Sequence, residues 1–208
     1  MKKEFRTLMS MFPEHAKLYL VGGCVRDSWV SLSDLDGPDD MFENVNDFDV
    51  EFHNMSLNEF EHYLEESGEE YSKVGKSFGV YKMKMNGLDF DLSLPRTDSK
   101  TKAGHCGFDV KLNPFMGLEN AMKRRDFTIN AVAMELFWDE DENGPCVNGR
   151  WHDPFGGLKD LKNRVLRMVD PETFGDDPLR VLRGVQFAGR FGLTVEPETF
   201  NKMKELVL

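Results

Sequence analysis

The sequence predicts an α+β fold, and three observations carry the prediction. Asp47 to Phe52 alternate strictly between acidic and apolar side chains, the period of a half-buried strand. The runs 79–85 and 88–94 are joined by Asn86-Gly87, a two-residue hairpin signal that makes them antiparallel neighbours. Helical spacing of apolar residues recurs after Gly22-Gly23, over 56–67 and over 178–191.

Taken in order, Lys17 to Val21 is a short apolar strand ending at Gly22-Gly23, and VRDSWVSL after it is helical. The acidic, Pro-containing stretch SLSDLDGPDDMFENVN reads as a loop. In the strand that follows, Phe48, Val50 and Phe52 face the core, which leaves Asp47, Asp49 and Glu51 on the opposite face. Ser56 with Glu59 three residues on is a capping box that opens the next helix. In the second hairpin strand Phe90, Leu92 and Leu94 share one face and Asp89, Asp91 and Ser93 the other. Ser99 to Asn113 reads as a polar loop, Gly117 to Met134 as a helix, Glu135 to Trp138 as an edge strand, and 139–150 as a turn-rich hairpin region. Over 178–191, Leu179, Leu182, Val185, Phe187 and Phe191 fall roughly on one side of a helix that Pro178 opens.

Composition bounds the function. A chain of 208 residues with 40% apolar and 12% aromatic residues can bury a proper core. Cys24, Cys106 and Cys146 lie too far apart, and too far from paired histidines, to imply a zinc site or a disulfide framework. The charged N-terminus lacks the apolar run of a signal peptide and no stretch has the length of a membrane span, so a cytoplasmic protein without a membrane partner is expected. A net charge of −11 argues against a protein that coats nucleic acid. The acids crowd into 34–70 and 139–142, however, and basic residues enrich the second half, where RNA or a triphosphate is expected to meet the chain.

Asp47 and Asp49 are the centre of the chemical reading. Two carboxylates two residues apart on a strand project from one face at a separation suited to a hard cation such as Mg²⁺. A lone D-x-D pair is equally at home on a solvated strand face, and Asp34/Asp36 and Asp89/Asp91 repeat the pattern here. Asp91, on a neighbouring strand, is a candidate third carboxylate for two-metal phosphoryl transfer. Gly22 and Gly23 at a strand end, with Arg26 and Asp27 in the following helix, form either a phosphate cradle or a plain tight turn. Asp177 before Pro178 is either an ordinary helix cap or a binding residue, and Arg180 and Arg183 lie on a helix face. His152-Asp153 has no further histidines at ligand spacing and is set aside as a metal site.

Five motifs in order resemble a known family. VGGCVRD, DFDVEF, RRDFTINAVAM (124–134), DPFGGLKDLKNRVLR (153–167) and FGDDPLRVLRGVQFAGRFG (174–192) resemble the class II (bacterial-type) tRNA nucleotidyltransferase (CCA-adding enzyme) and poly(A) polymerase family. The resemblance runs from about Leu18 to the end. It implies a polymerase beta-like nucleotidyltransferase head, a mixed five-stranded sheet flanked by helices over 1–150, and a helical neck over 151–208 that is cut short, without body or tail.

The resemblance also implies roles. Asp47 and Asp49 match the carboxylates that hold two Mg²⁺ ions, and Asp91 a further acidic position. Gly22, Gly23, Arg26 and Asp27 fall in the triphosphate motif; Arg125, Asp126 and Asn130 match residues that hold phosphate and ribose. Asp177 and Arg180 match the pair that reads the base of CTP or ATP, with Arg183 a further nucleotide contact. The implied activity is addition of CMP and AMP to a tRNA or other RNA 3′ end; poly(A) synthesis, C-only or A-only addition, and a non-catalytic nucleotide-binding subunit are the alternatives. Three departures stand out: an acidic insertion over 31–46, Gln186 where the family has arginine, and an end at Leu208 that fits a piece of a longer chain, a minimal enzyme or half of a split one whose RNA-binding body a second protein supplies.

Overall fold

The computed structural model of the chain describes residues 3–34, 42, 45–74, 79–100, 108–141 and 144–207. In chain order the elements are α1 (Lys3–Ser10), β1 (Lys17–Val21), α2 (Gly23–Asp34), β2 (Asp47–His53), α3 (Leu57–Glu66), β3 (Tyr71–Val74), β4 (Val80–Met85), β5 (Leu88–Ser93), β6 (Arg96–Lys100) and β7 (Phe108–Leu112). There follow α4 (Leu118–Lys123), β8 (Ala133–Asp141), β9 (Gly144–His152), α5 (Gly157–Lys162), β10 (Val165–Leu166), α6 (Leu179–Phe191), β11 (Thr194–Val195) and α7 (Pro197–Val207). The chain divides into two compact units, one of Met1–Arg96, Leu112–Met116 and Ala133–His152, the other of Thr97–Lys111, Gly117–Val132 and Asp153–Leu208.

The first unit is built on a sheet that, among the described residues, has seven strands in the order β3-β4-β5-β2-β1-β8-β9 rather than the five expected. β2 and β5 run parallel, and the other pairings in this sheet are antiparallel. Aromatic packing holds β2 in place. Phe48 stacks on Phe90 and meets Phe5 and Phe42 edge-on, while Phe52 packs on Phe12 and Phe60. Each Phe buried in this way stabilises the unit by roughly 1.5–3 kcal/mol. Of the acidic stretch 31–46 expected as a loop, 31–34 instead continue α2, Phe42 is fully buried, and Val45 and Asn46 are described; the rest lies outside the described residues.

Several expectations need correction. Glu51 is not on an exposed face: it and His53 are buried, because both faces of the inner half of β2 are covered. β8 is not an edge strand but lies between β1 and β9, and it extends through the turn-rich region as a hairpin with Asp141 opposite Gly144. The polar run 99–113 contains parts of β6 and β7, which pair as a two-stranded sheet; 101–107 lie outside the described residues. The helix expected over 117–134 stops at Lys123, because Asp126 diverts the backbone. Its carboxylate accepts the Phe127 N–H at 2.8 Å and the Asn130 amide at 2.9 Å, leaving only a short 3₁₀ turn at Thr128–Asn130. The capping box at Ser56 and Glu59 is present as expected.

In the second unit, α6 begins at Leu179, one residue after Pro178. Gly184 and Phe187 are its buried positions, whereas Leu182 and Val185 are exposed, so its apolar residues do not all face the core. Phe127 packs edge-on against Phe174 and Phe187, and a Cβ at Gly184 would come within 2.9 Å of the Phe127 ring, which is why the helix has glycine there.

Candidate active site

Strand register arranges the acids of the first unit. Parallel pairing sets Asp47 beside Asp89 and Asp49 beside Asp91, and the β4–β5 hairpin sets Lys84 beside Asp89 and Lys82 beside Asp91. The result is two rows across three strands, Lys84–Asp89–Asp47 and Lys82–Asp91–Asp49. Asp47 and Asp49 are exposed. Lys82 Nζ donates to both Asp91 carboxylate oxygens, at 2.8 and 2.9 Å, while Lys84 Nζ stands 3.4 Å from Asp89. The hydrogen bonds to Asp91, then its charge, hold the Lys82 ammonium above its ordinary pKa, with smaller contributions from Asp47 and Asp49. Deeper along the same face of β2, Glu51 accepts from His53 at 3.0 Å, and the other His53 nitrogen meets the Met116 carbonyl.

The β1–α2 junction lies in the same unit. Gly22 takes φ +75°, a left-handed conformation that favours glycine, and Arg26 N–H donates to its carbonyl. The Arg26 side chain is 5% exposed and makes a charge-assisted contact of 2.7 Å with Asp27. Its guanidinium lies 3.5 Å from where a Cβ at Gly23 would stand. These residues therefore form a stiff turn, with a buried cation behind the two glycines.

The second unit gathers the remaining sequence candidates. Asp126 is buried, and besides Phe127 and Asn130 it accepts from Arg183 Nε at 2.6 Å. The Arg183 guanidinium also lies over the Phe187 ring. Arg180 is anchored through both terminal nitrogens, to the Thr173 carbonyl at 3.1 Å and the Arg124 carbonyl at 2.6 Å. Asp177 accepts the Leu179 N–H at 3.0 Å, as a helix cap would, and stands one turn before Arg180. The 124–130 turn and the start of α6 are thus joined through Arg180 and Arg183.

Support for that turn comes from residues the sequence reading passed over. Asp160, buried in α5, accepts from Thr128 Oγ1 at 2.8 Å and from Arg167 Nε at 3.1 Å. Asp153 accepts the Gly157 and Leu158 N–H groups at the start of α5. A Cβ on Gly157 would collide with the Thr128 carbonyl, so only glycine allows α5 this close. Lys82 was also legible: a two-residue Asn86-Gly87 turn fixes Lys84 opposite Asp89 and Lys82 opposite Asp91.

A family model described as the poly A polymerase head domain matches residues 18–167. The chain belongs to this family. A multifunctional CCA protein of Nitrosospira multiformis is 37% identical over 191 residues, covering 92% of this chain and 39% of that protein. Among solved structures, an apo CCA-adding enzyme matches 99% of the chain with a TM-score of 0.73 at 27% identity, over 43% of its own length. A tRNA nucleotidyltransferase complexed with a primer tRNA and an incoming ATP analog matches 100% of the chain with a TM-score of 0.65 at 26% identity, over 50% of its own length. The chain thus spans half or less of these relatives. The family resemblance read from the five motifs and the α+β head followed by helices are both borne out.

Among the described residues, no helix is long and apolar enough to cross a membrane, and no group of three or more His, Cys, Asp or Glu is arranged to hold a metal. Mg²⁺ in phosphoryl-transfer sites is held by only one or two carboxylates, with water and substrate phosphates completing its shell. Two exposed carboxylates on adjacent same-face positions of one strand fit that requirement.

Proposed function

We propose that this chain is the catalytic part of a template-independent RNA nucleotidyltransferase that transfers CMP and AMP from CTP and ATP to the 3′ end of tRNA. One observation carries the reading: the exposed Asp47–Asp49 pair occurs in a chain whose second unit joins the RRD turn to the DDPLR helix. The head is assigned to 1–150 and the neck to 151–208, with the RNA-binding body supplied by further polypeptide or by a second protein. A cytoplasmic location fits this role.

Asp47 and Asp49 are assigned to hold two Mg²⁺ ions, with Asp91 acting beside them. When bound, the metal supplies charge neutralisation and lowers the pKa of the RNA 3′-hydroxyl. The hydroxyl oxygen bonds to the α-phosphorus as the bond to pyrophosphate breaks, so positioning and charge are what the protein contributes. Gly22 and Gly23 let backbone N–H groups approach the triphosphate, and Arg26 and Asp27 stiffen that turn. Arg125, Asp126 and Asn130 are assigned to phosphate and ribose. Asp177 and Arg180, with Arg183 beside them, are assigned to the base, because a carboxylate acceptor and a guanidinium donor can mimic the pairing edge of a template. Anchoring of Arg180 to two carbonyls supports such a fixed template.

Extension of tRNA transcripts ending before, within and after CCA, with Mg²⁺ and CTP, ATP or both, tests the reading. Ordered addition of C, C and A that then stops is expected. Open-ended A addition would replace it with poly(A) synthesis, and nucleotide binding without transfer in the presence of the body would leave a binding subunit.

A further inference from the structure

Lys82 stands on the carboxylate face without a part in the reaction as assigned above. Its ammonium is held by both oxygens of Asp91, one strand away from Asp49. An ammonium carries three donors, and Asp91 takes two, so one remains for a ligand. Lys84, the equivalent residue of the next row, is more exposed and stands 3.4 Å from a single oxygen of Asp89. Only Lys82 is therefore fixed in place. A cleft of about 400 Å³ opens against it, lined also by Glu70, Tyr71, Lys84, Asp89 and Asp91, so that both lysines reach it but only Lys82 is clamped. That volume admits a ribose-phosphate, and the anionic groups on both substrates of nucleotidyl transfer are phosphates.

We infer that Lys82 is a phosphate-binding residue of the active site and that Asp91 is its positioning residue, acting through Lys82 and not as a metal ligand. The inference rests on the nucleotidyltransferase reading. The phosphate belongs either to the incoming nucleotide or to the last phosphodiester of the RNA, two sources with one chemistry. Asp91 is then acidic because a lysine needs a carboxylate to hold it, and a bidentate clamp fixes the ammonium where a flexible four-carbon stem would not.

The test uses Lys82→Met, Lys82→Arg, Asp91→Asn, the double variant Lys82→Met/Asp91→Asn, and Lys84→Met as control. Transfer kinetics are measured with CTP, ATP and an RNA oligonucleotide each varied in turn, Mn²⁺ binding is followed by electron paramagnetic resonance, and folding by thermal unfolding. Lys82→Met should raise KM for one of the two phosphate sources by about 10- to 100-fold, the worth of a charge-assisted hydrogen bond. The substrate whose KM rises identifies the source. Lys82→Arg should restore most of the loss, Asp91→Asn should act in the same direction, the double variant should be no worse than Lys82→Met, and Lys84→Met should raise KM less than Lys82→Met does. Mn²⁺ affinity should not fall in any of them. Weaker Mn²⁺ binding in Asp91→Asn, or unchanged KM values in Lys82→Met, would overturn the inference while leaving the proposed function intact; absence of Mg²⁺-dependent transfer by the wild-type protein would overturn both.

Discussion

The two units treat their carboxylates in opposite ways. In the first, Asp47 and Asp49 lie exposed on a strand face with a second pair of acids on the neighbouring strand. In the second, Asp126 and Asp160 are buried and bound by backbone N–H, amide, hydroxyl and guanidinium donors. In the first arrangement acids stand side by side across two strands, and like charges so placed repel. In the second the donors are built in, since a buried carboxylate persists only when its acceptor capacity is met. The two sets are thus distinguished by burial and tertiary setting, not by their spacing in sequence.

The largest effect that could break this contrast is catalytic. Asp47→Ala with Asp49→Ala should abolish Mg²⁺-dependent transfer by at least about a thousandfold, because metal-assisted charge stabilisation is worth several kcal/mol, yet leave the unfolding temperature unchanged or slightly raised. A marked loss of stability would show these acids to be structural after all. Asp126→Ala should do the reverse in its primary effect. It strands the Phe127 N–H and Asn130 amide and costs about 1–3 kcal/mol for an unsatisfied buried group, read as a lower denaturant midpoint. Gly157→Ala should destabilise by a comparable or smaller amount, about 1–3 kcal/mol for overpacking, because the added methyl meets the rigid Thr128 backbone and not a movable side chain.

The smallest effect is a pH dependence. Burial, aided by Glu135, pushes the Tyr19 hydroxyl up to about 12 from its ordinary 10. A raised folded-state value means that the neutral form is the one stabilised, so this contribution is complete below pH 10 and is lost as pH rises toward 12. Tyr19→Phe should flatten the alkaline limb of stability over that window in denaturant titrations and change little at neutral pH.

The contrast also explains what the sequence could tell. Local signals were legible wherever neighbours in sequence decide the structure: the Ser56 capping box, the Asn86-Gly87 hairpin, and the inward face of Phe48, Val50 and Phe52. Asp47 and Asp49 were legible as a pair because period two places them on one face whatever the tertiary context. Glu51 was not, since alternation cannot reveal that a second layer covers the strand's far half. The 117–134 segment misled for a related reason: its apolar spacing suits a helix, but the side chain of Asp126 offers the backbone another partner, and its Arg183 anchor comes from 57 residues away. The role of Asp160 under the same turn depends on a close approach at Gly157 that no local pattern announces.

The two cross-strand rows have a consequence for the protein as an electrical object. Each row holds one lysine and two aspartates, so across the two rows the acids outnumber the lysines by two, the charge that one divalent cation cancels. Cation binding to the folded state alone then stabilises it by mass action, and the unfolding temperature should climb with Mg²⁺ concentration. The firmness of the sheet at β2 and β5 would then follow the concentration of the divalent cation.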